Sequence, residues 1–187
     1  MANQAVLGAW APGTPATRYP EGTGVRVQPG TVVVTAGALR TWAIGPPLWR
    51  TAPRSDLQFA TRAGRAHPPP GVVLVASDGF SIPPGGQGYR YTFQQIVSAG
   101  RLWGVIPHMH TLGRRILLQR EADTLIDIPA WDFHWQQMYF YEEPVQFKSG
   151  RSRLQLSCVW DNPTQRTVRW GEGTEDEMCL AYLYVTQ

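Results

Sequence analysis

Lysine is almost missing from this chain: of its 17 basic residues only Lys148 is not an arginine. The arginines are scattered. With no basic run or stripe of the kind that tracks a phosphate backbone, a formal charge of +3 does not point to a nucleic-acid partner. Long apolar runs are absent as well, none approaching the roughly 18 residues that span a bilayer, so no membrane partner is expected. The first residues, Met1-Ala2-Asn3-Gln4, lack a basic stretch leading into an apolar one. That leaves an intracellular chain or a mature, trimmed one. Cysteine is scarce too, with only Cys158 and Cys179. Free Cys is common in cores, so both read as buried thiols. They read equally as a bridge, because one precedes a turn and the other follows it in strand-like runs. A bridge would close a loop of about twenty residues, stabilise by roughly 3 kcal/mol and favour an oxidising compartment.

What the chain has in quantity points to sheet. Its hydrophobic content is 43%, including 8 Trp, 7 Tyr and 6 Phe, and these residues suit strands. The 19 Gly and 16 Pro interrupt it too often for long helices. Strand-like runs fall at Thr31–Thr35, Val72–Ala76, Tyr89–Ile96, Arg101–His110, Arg114–Arg120, Thr124–Ile128, Arg153–Trp160 and Met178–Val185, separated by turns such as Pro68-Pro69-Pro70-Gly71 and Asp161-Asn162-Pro163. In Arg153–Trp160 the even positions are apolar, the pattern of one buried face. The expectation is an all-β, antiparallel jelly-roll sandwich of about eight strands, with residues 1–40 as an N-terminal arm and 41–187 as the sandwich domain.

The residues with most chemistry to offer are His108-Met109-His110. Alternate residues of a strand share a face, so both imidazoles are presented side by side. A soft thioether, Met178, sits beside Cys179 in the acidic segment Gly171-Glu172-Gly173-Thr174-Glu175-Asp176-Glu177-Met178-Cys179. Two imidazoles with a methionine sulfur select copper, Cu(I) above all. Were Cys179 to turn inward to meet Cys158, Met178 would point to the opposite face, which Tyr182 shares. A plainer reading stands beside each. His108 and His110 alone suit a structural role, and Met178 alone suits packing. His134 reads as a third imidazole near the metal or as a surface residue, and His67 as a loop residue. The carboxylates Glu172, Glu175, Asp176 and Glu177 could orient a ligand histidine, although most are expected in a solvated turn. Trp131, Trp135, Trp160 and Trp170 are expected in the core.

Taken together, His108-Met109-His110-Thr111-Leu112-Gly113, Trp131-Asp132-Phe133, Trp135-Gln136, Asp161-Asn162-Pro163 and Trp170 to Met178 occur in an order that resembles the copper type II ascorbate-dependent monooxygenases. This is the group of peptidylglycine α-hydroxylating and dopamine β-monooxygenases, and the chain looks closest to its bacterial members. The likeness is specific over residues 80–187. It is weaker over Trp10–Val27, which resembles the close of the family's first domain.

The resemblance implies a catalytic copper, one per chain, held by His108, His110 and Met178 on a jelly roll, with a disulfide between Cys158 and Cys179. It also implies dioxygen and a small-molecule or peptide-like substrate as partners, ascorbate or another reductant as electron donor, and a periplasmic or secreted location in preference to the cytoplasm. Two departures matter. Most of the family's first domain is absent, and Val34-Thr35-Ala36-Gly37 stands where its last copper-binding histidine is expected, so an electron-donating copper domain would have to be a separate partner. Ile106 replaces the arginine of the peptidylglycine enzymes, while Tyr182 matches their substrate tyrosine; without the bidentate partner a peptide carboxylate is disfavoured. The expected activity is hydroxylation of an sp³ C–H bond. Its rivals are a copper-binding module without turnover, acting as carrier, sensor or assembly domain, and a repurposed pocket on the same fold.

Overall fold

The computed structural model describes residues 16–21, 23–24, 71–147 and 150–186. The run Thr31–Thr35, His67, the proline cluster before Gly71 and the 40/41 boundary lie outside them. The described residues form no helix. They form ten strands: β1 (Gly71–Ala76), β2 (Ser81–Ile82), β3 (Tyr89–Ser98), β4 (Arg101–His108), β5 (Gly113–Arg120), β6 (Asp123–Ile128), β7 (Tyr139–Gln146), β8 (Arg151–Trp160), β9 (Val168–Arg169) and β10 (Leu180–Thr186). Eight of these build two four-stranded sheets, ordered β1-β10-β4-β7 and β3-β8-β5-β6, and β2 pairs with β9. Every strand pair is antiparallel.

Alternation explains the sandwich. On β8, Leu154, Leu156, Cys158 and Trp160 are all fully buried, and across the ladder Ile116 and Leu118 of β5 stand opposite Cys158 and Leu156 on the same inner face. From the other sheet Val75, Val105, Ala181, Leu183 and Val185 meet them in one core. Each such side chain contributes about 1.5–3 kcal/mol by leaving water. Cys158 on β8 and Cys179, just before β10, are joined by a disulfide that ties one sheet to the other across this core.

The strand that carries the histidines changes face part-way. The ladder skips Trp103 between Leu102 and Gly104, so Leu102 and Val105 both reach the core although they are three residues apart. A single extra residue shifts every later side chain to the other face. Beyond the bulge Val105 and Met109 face inward, while Ile106 and His108 share the outer face with their cross-strand partners Tyr182 and Leu180.

Strand β7 was not legible in the sequence. Tyr139–Gln146 contains Glu142, Glu143 and Pro144, a composition that argues against a strand inside a sheet. It lies at the sheet's edge, pairing only with β4, where a proline costs no ladder bond. Trp160, Trp131 and Trp170 join the core or pack on it as expected. Trp135 does not: it is 48% exposed, because the segment that follows the buried Trp131 runs over the surface.

Candidate metal centre

His108 closes β4 and His110 follows two residues later, with Met109 fully buried between them and pinned in the core. Because Met109 occupies the inner face, the two imidazoles come together outside it, their ring centres 5.1 Å apart and nearly perpendicular. A third chain segment closes on them. Leu180 pairs with His108, so the antiparallel register carries Met178 alongside His110. Side-chain bonds agree. The His110 N–H donates to Glu177 Oε2 at 2.9 Å, and the Met178 N–H donates to the same oxygen at 3.3 Å.

Each histidine has its Nδ1 engaged by an oxygen. His110 Nδ1–H donates to the Asp176 carbonyl at 2.8 Å. His108 Nδ1–H donates to Gln136 Oε1 at 2.5 Å, and the Gln136 amide is held the right way round because its Nε2–H donates to the Phe133 carbonyl at 2.7 Å. With both Nδ1 atoms acting as donors, the lone pairs lie on the Nε2 atoms, the tautomer a metal ligand needs. His108 is also held below the usual histidine range, first by burial and then by the neighbouring His110, against the opposing pull of Gln136. That favours the neutral form.

Glu177 is fully buried beneath the pair. Its carboxylate accepts from His110 N, Leu112 N at 2.7 Å, Trp160 Nε1 at 2.9 Å and Met178 N. Burial pushes its pKa up, and the hydrogen bonds pull the other way. The acidic segment is therefore not uniformly solvated. Glu172 and Glu175 are exposed, whereas Glu177 forms part of the core.

The other candidate residues fall in different places. Ile106 and Tyr182 stand opposite each other two rungs from the His108–Leu180 pair, on the same face. His134 points to solvent with 79% of its side chain exposed; it contacts Asp132 and the Phe133 ring, and Phe133 in turn meets His110 edge-on. Glu172 is exposed on the turn. An open cleft of about 390 Å³ runs beside the loop, lined by Ala16, Thr17, Arg18, Gln137, Met138 and Phe140. Glu177 was one of the four carboxylates that the sequence offered as able to orient a ligand histidine, whereas Gln136 was not singled out as a support for one. For Glu177 a signal existed in its place directly before Met178; for Gln136, 28 residues from His108, there was none.

The family model for copper type II ascorbate-dependent monooxygenases, C-terminal domain, matches residues 72–186. The chain belongs to this family. No curated protein matches the chain. Copper is the metal of a copper type II monooxygenase and ascorbate its reductant. Among the described residues no three His, Cys, Asp or Glu side chains cluster as a metal site. A copper site at the histidine pair therefore depends on a third donor of another kind. The donor chemistry fits copper: two imidazoles with Nδ1 engaged and a thioether in the segment just before β10.

Proposed function

We propose that this copper monooxygenase domain hydroxylates an sp³ C–H bond with dioxygen at a single copper held by His108, His110 and Met178. The observation that carries the reading is the convergence on one outer face of two imidazoles with their Nδ1 atoms occupied and of the Glu177-Met178 segment. Bound there, copper would supply dioxygen activation, with one oxygen atom entering the C–H bond and the other leaving as water, using two electrons from ascorbate and two protons. The chain's own part is to present the two imidazoles, fix their orientation through Gln136 and Asp176, and keep bulk water from the side of Glu177.

Successive long strands cross from one sheet to the other except at the β5–β6 hairpin, and this supports a jelly-roll description of the sandwich. Ile106 and Tyr182, two rungs from His108 on the same face, would contact the substrate; an aliphatic side chain paired with a phenol favours a substrate without a carboxylate at that point. The disulfide favours a periplasmic or secreted setting, and a separate electron-donating copper domain is the proposed redox partner.

The test is to load the protein with copper, add ascorbate and a C–H probe, and follow oxygen consumption and product. Turnover lost in Met178→Ala, together with weakened copper binding in His108→Ala and His110→Ala, is expected. Tight copper binding without oxygen consumption would make the domain a carrier or sensor instead. Unchanged binding in both histidine variants would remove the site.

A further inference from the structure

The geometry points to Glu177 as the positioning residue of the metal centre: a buried carboxylate that holds the backbones of His110 and Met178 in fixed relation and so makes a thioether available to the imidazoles. The inference rests on the copper site proposed above.

Its basis is the number and kind of groups that Glu177 joins. Its own backbone is tied to the neighbouring turn, with Glu177 N–H donating to Arg169 O at 3.0 Å and Gly171 N–H donating to Glu177 O at 3.3 Å. Its side chain, 0% exposed, then reaches three other places in the chain: His110 and Leu112 after β4, Trp160 at the end of β8, and Met178 before β10. Because Oε2 receives both the His110 and the Met178 amides, those two nitrogens lie within about 6 Å of each other, twice an ordinary hydrogen-bond length. Residues from separate strands are thereby locked together at the point where the ligand set would have to assemble.

All four partners are N–H donors. Only an acceptor with two oxygens satisfies them. A glutamine of the same shape has one oxygen, and its NH₂ group would face at least one N–H, leaving buried donors unpaired. Buried polar networks of this kind set geometry when complete and distort it when one member is wrong. A glutamate placed only for core stability would not need to reach the amides of both proposed ligands.

The experiment compares wild type, Glu177→Gln, Met178→Ala, the double variant and Trp160→Phe, all as the full chain with the disulfide intact. Cu(I) affinity is measured by chelator competition, the Cu–S contribution by X-ray absorption, and folding by near-ultraviolet circular dichroism. Folded Glu177→Gln is expected to bind Cu(I) about 10–100-fold more weakly and to lose the Cu–S signal. In the Met178→Ala background the same change should add little, because the two act through one contact. Trp160→Phe, which removes one of the four donors and no ligand, should lower the melting temperature and weaken Cu(I) binding less than Glu177→Gln does.

A folded Glu177→Gln with wild-type affinity and Cu–S scattering overturns the inference while leaving the copper site standing. A wild type with no Cu–S signal, bound no better than Met178→Ala, overturns the copper site itself. Should Glu177→Gln not fold, Glu177→Asp keeps both oxygens on an arm one carbon shorter. It is expected to weaken Cu(I) binding and reduce Cu–S scattering, and wild-type values for it would likewise sink the inference.

Discussion

His108 and His110 stand side by side, yet the molecule holds them in different ways. His110 is 7% exposed and is gripped at three atoms: its N–H by Glu177, its carbonyl by Trp131 Nε1 at 3.2 Å, and its ring by the Asp176 carbonyl. Two of these grips come from buried side chains, Glu177 and Trp131, and the third from the turn just before Glu177. His108 has one ring partner, Gln136, on a surface segment whose neighbours His134 and Trp135 face solvent. The difference teaches that one flank of the centre is built into the sandwich and the other is carried by a loop. Local opening is easier where few apolar contacts oppose it, so the His108 flank is where the site can adjust to metal and substrate.

Tryptophan gives the sharpest way to break this contrast, since one stands on each flank. Trp160, fully buried, stacks on Phe80 and donates to Glu177. Trp160→Ala is expected to cost about 3–5 kcal/mol in denaturant unfolding. Trp135→Ala on the loop should stay within about 0.5 kcal/mol. Equal losses would mean that the two flanks are equally part of the core.

A second, smaller effect concerns metal without stability. Gln136→Ala removes the hydrogen-bond partner of His108 Nδ1, so Cu(I) affinity should fall by about 10–100-fold while the unfolding midpoint hardly moves. Cu(I) competition and urea unfolding on the same sample measure both. A large fall in the midpoint with unchanged affinity would show the loop to be structural.

The smallest effect lies at the rim of the buried flank. Asp161, next to Trp160, is held below the usual carboxylate range by the Gly88 N–H and, less strongly, by Arg114. A depressed folded-state pKa adds stability above the unfolded value of about 3.9, and that stability is lost as the pH falls through the folded value. Wild type should therefore exceed Asp161→Asn in stability at neutral pH, with the gap closing below about pH 4. Being exposed and screened, the pair should contribute no more than about 1 kcal/mol. A gap that stays constant from pH 7 to pH 3 would assign the difference to something other than this carboxylate.

Several parts of this molecule were open to reading in one dimension. Leu154, Leu156, Cys158 and Trp160 announce a buried face because side chains alternate along a strand. His108 and His110 announce a shared face for the same reason, and the order of motifs around them announces the family. Strand β7 escaped because Pro144 and two glutamates are tolerated only at a sheet edge, and edge position is a property of the assembled sheet. Most of the acidic turn is open to solvent as expected, but that Glu177 is the buried member could not be read, because burial of a carboxylate depends on donors that come from residues 110, 112 and 160.

What the chain's order of residues determined by itself, then, is what depends on neighbours: strand periodicity, the pairing of imidazoles two positions apart, and the presence of a soft sulfur. The tertiary structure alone decided which oxygen meets each Nδ1, which of four clustered carboxylates is buried, and which tryptophan stays in water. Those outcomes depend on contacts between residues tens of positions apart, whose free energies exist only once the two sheets have closed on each other.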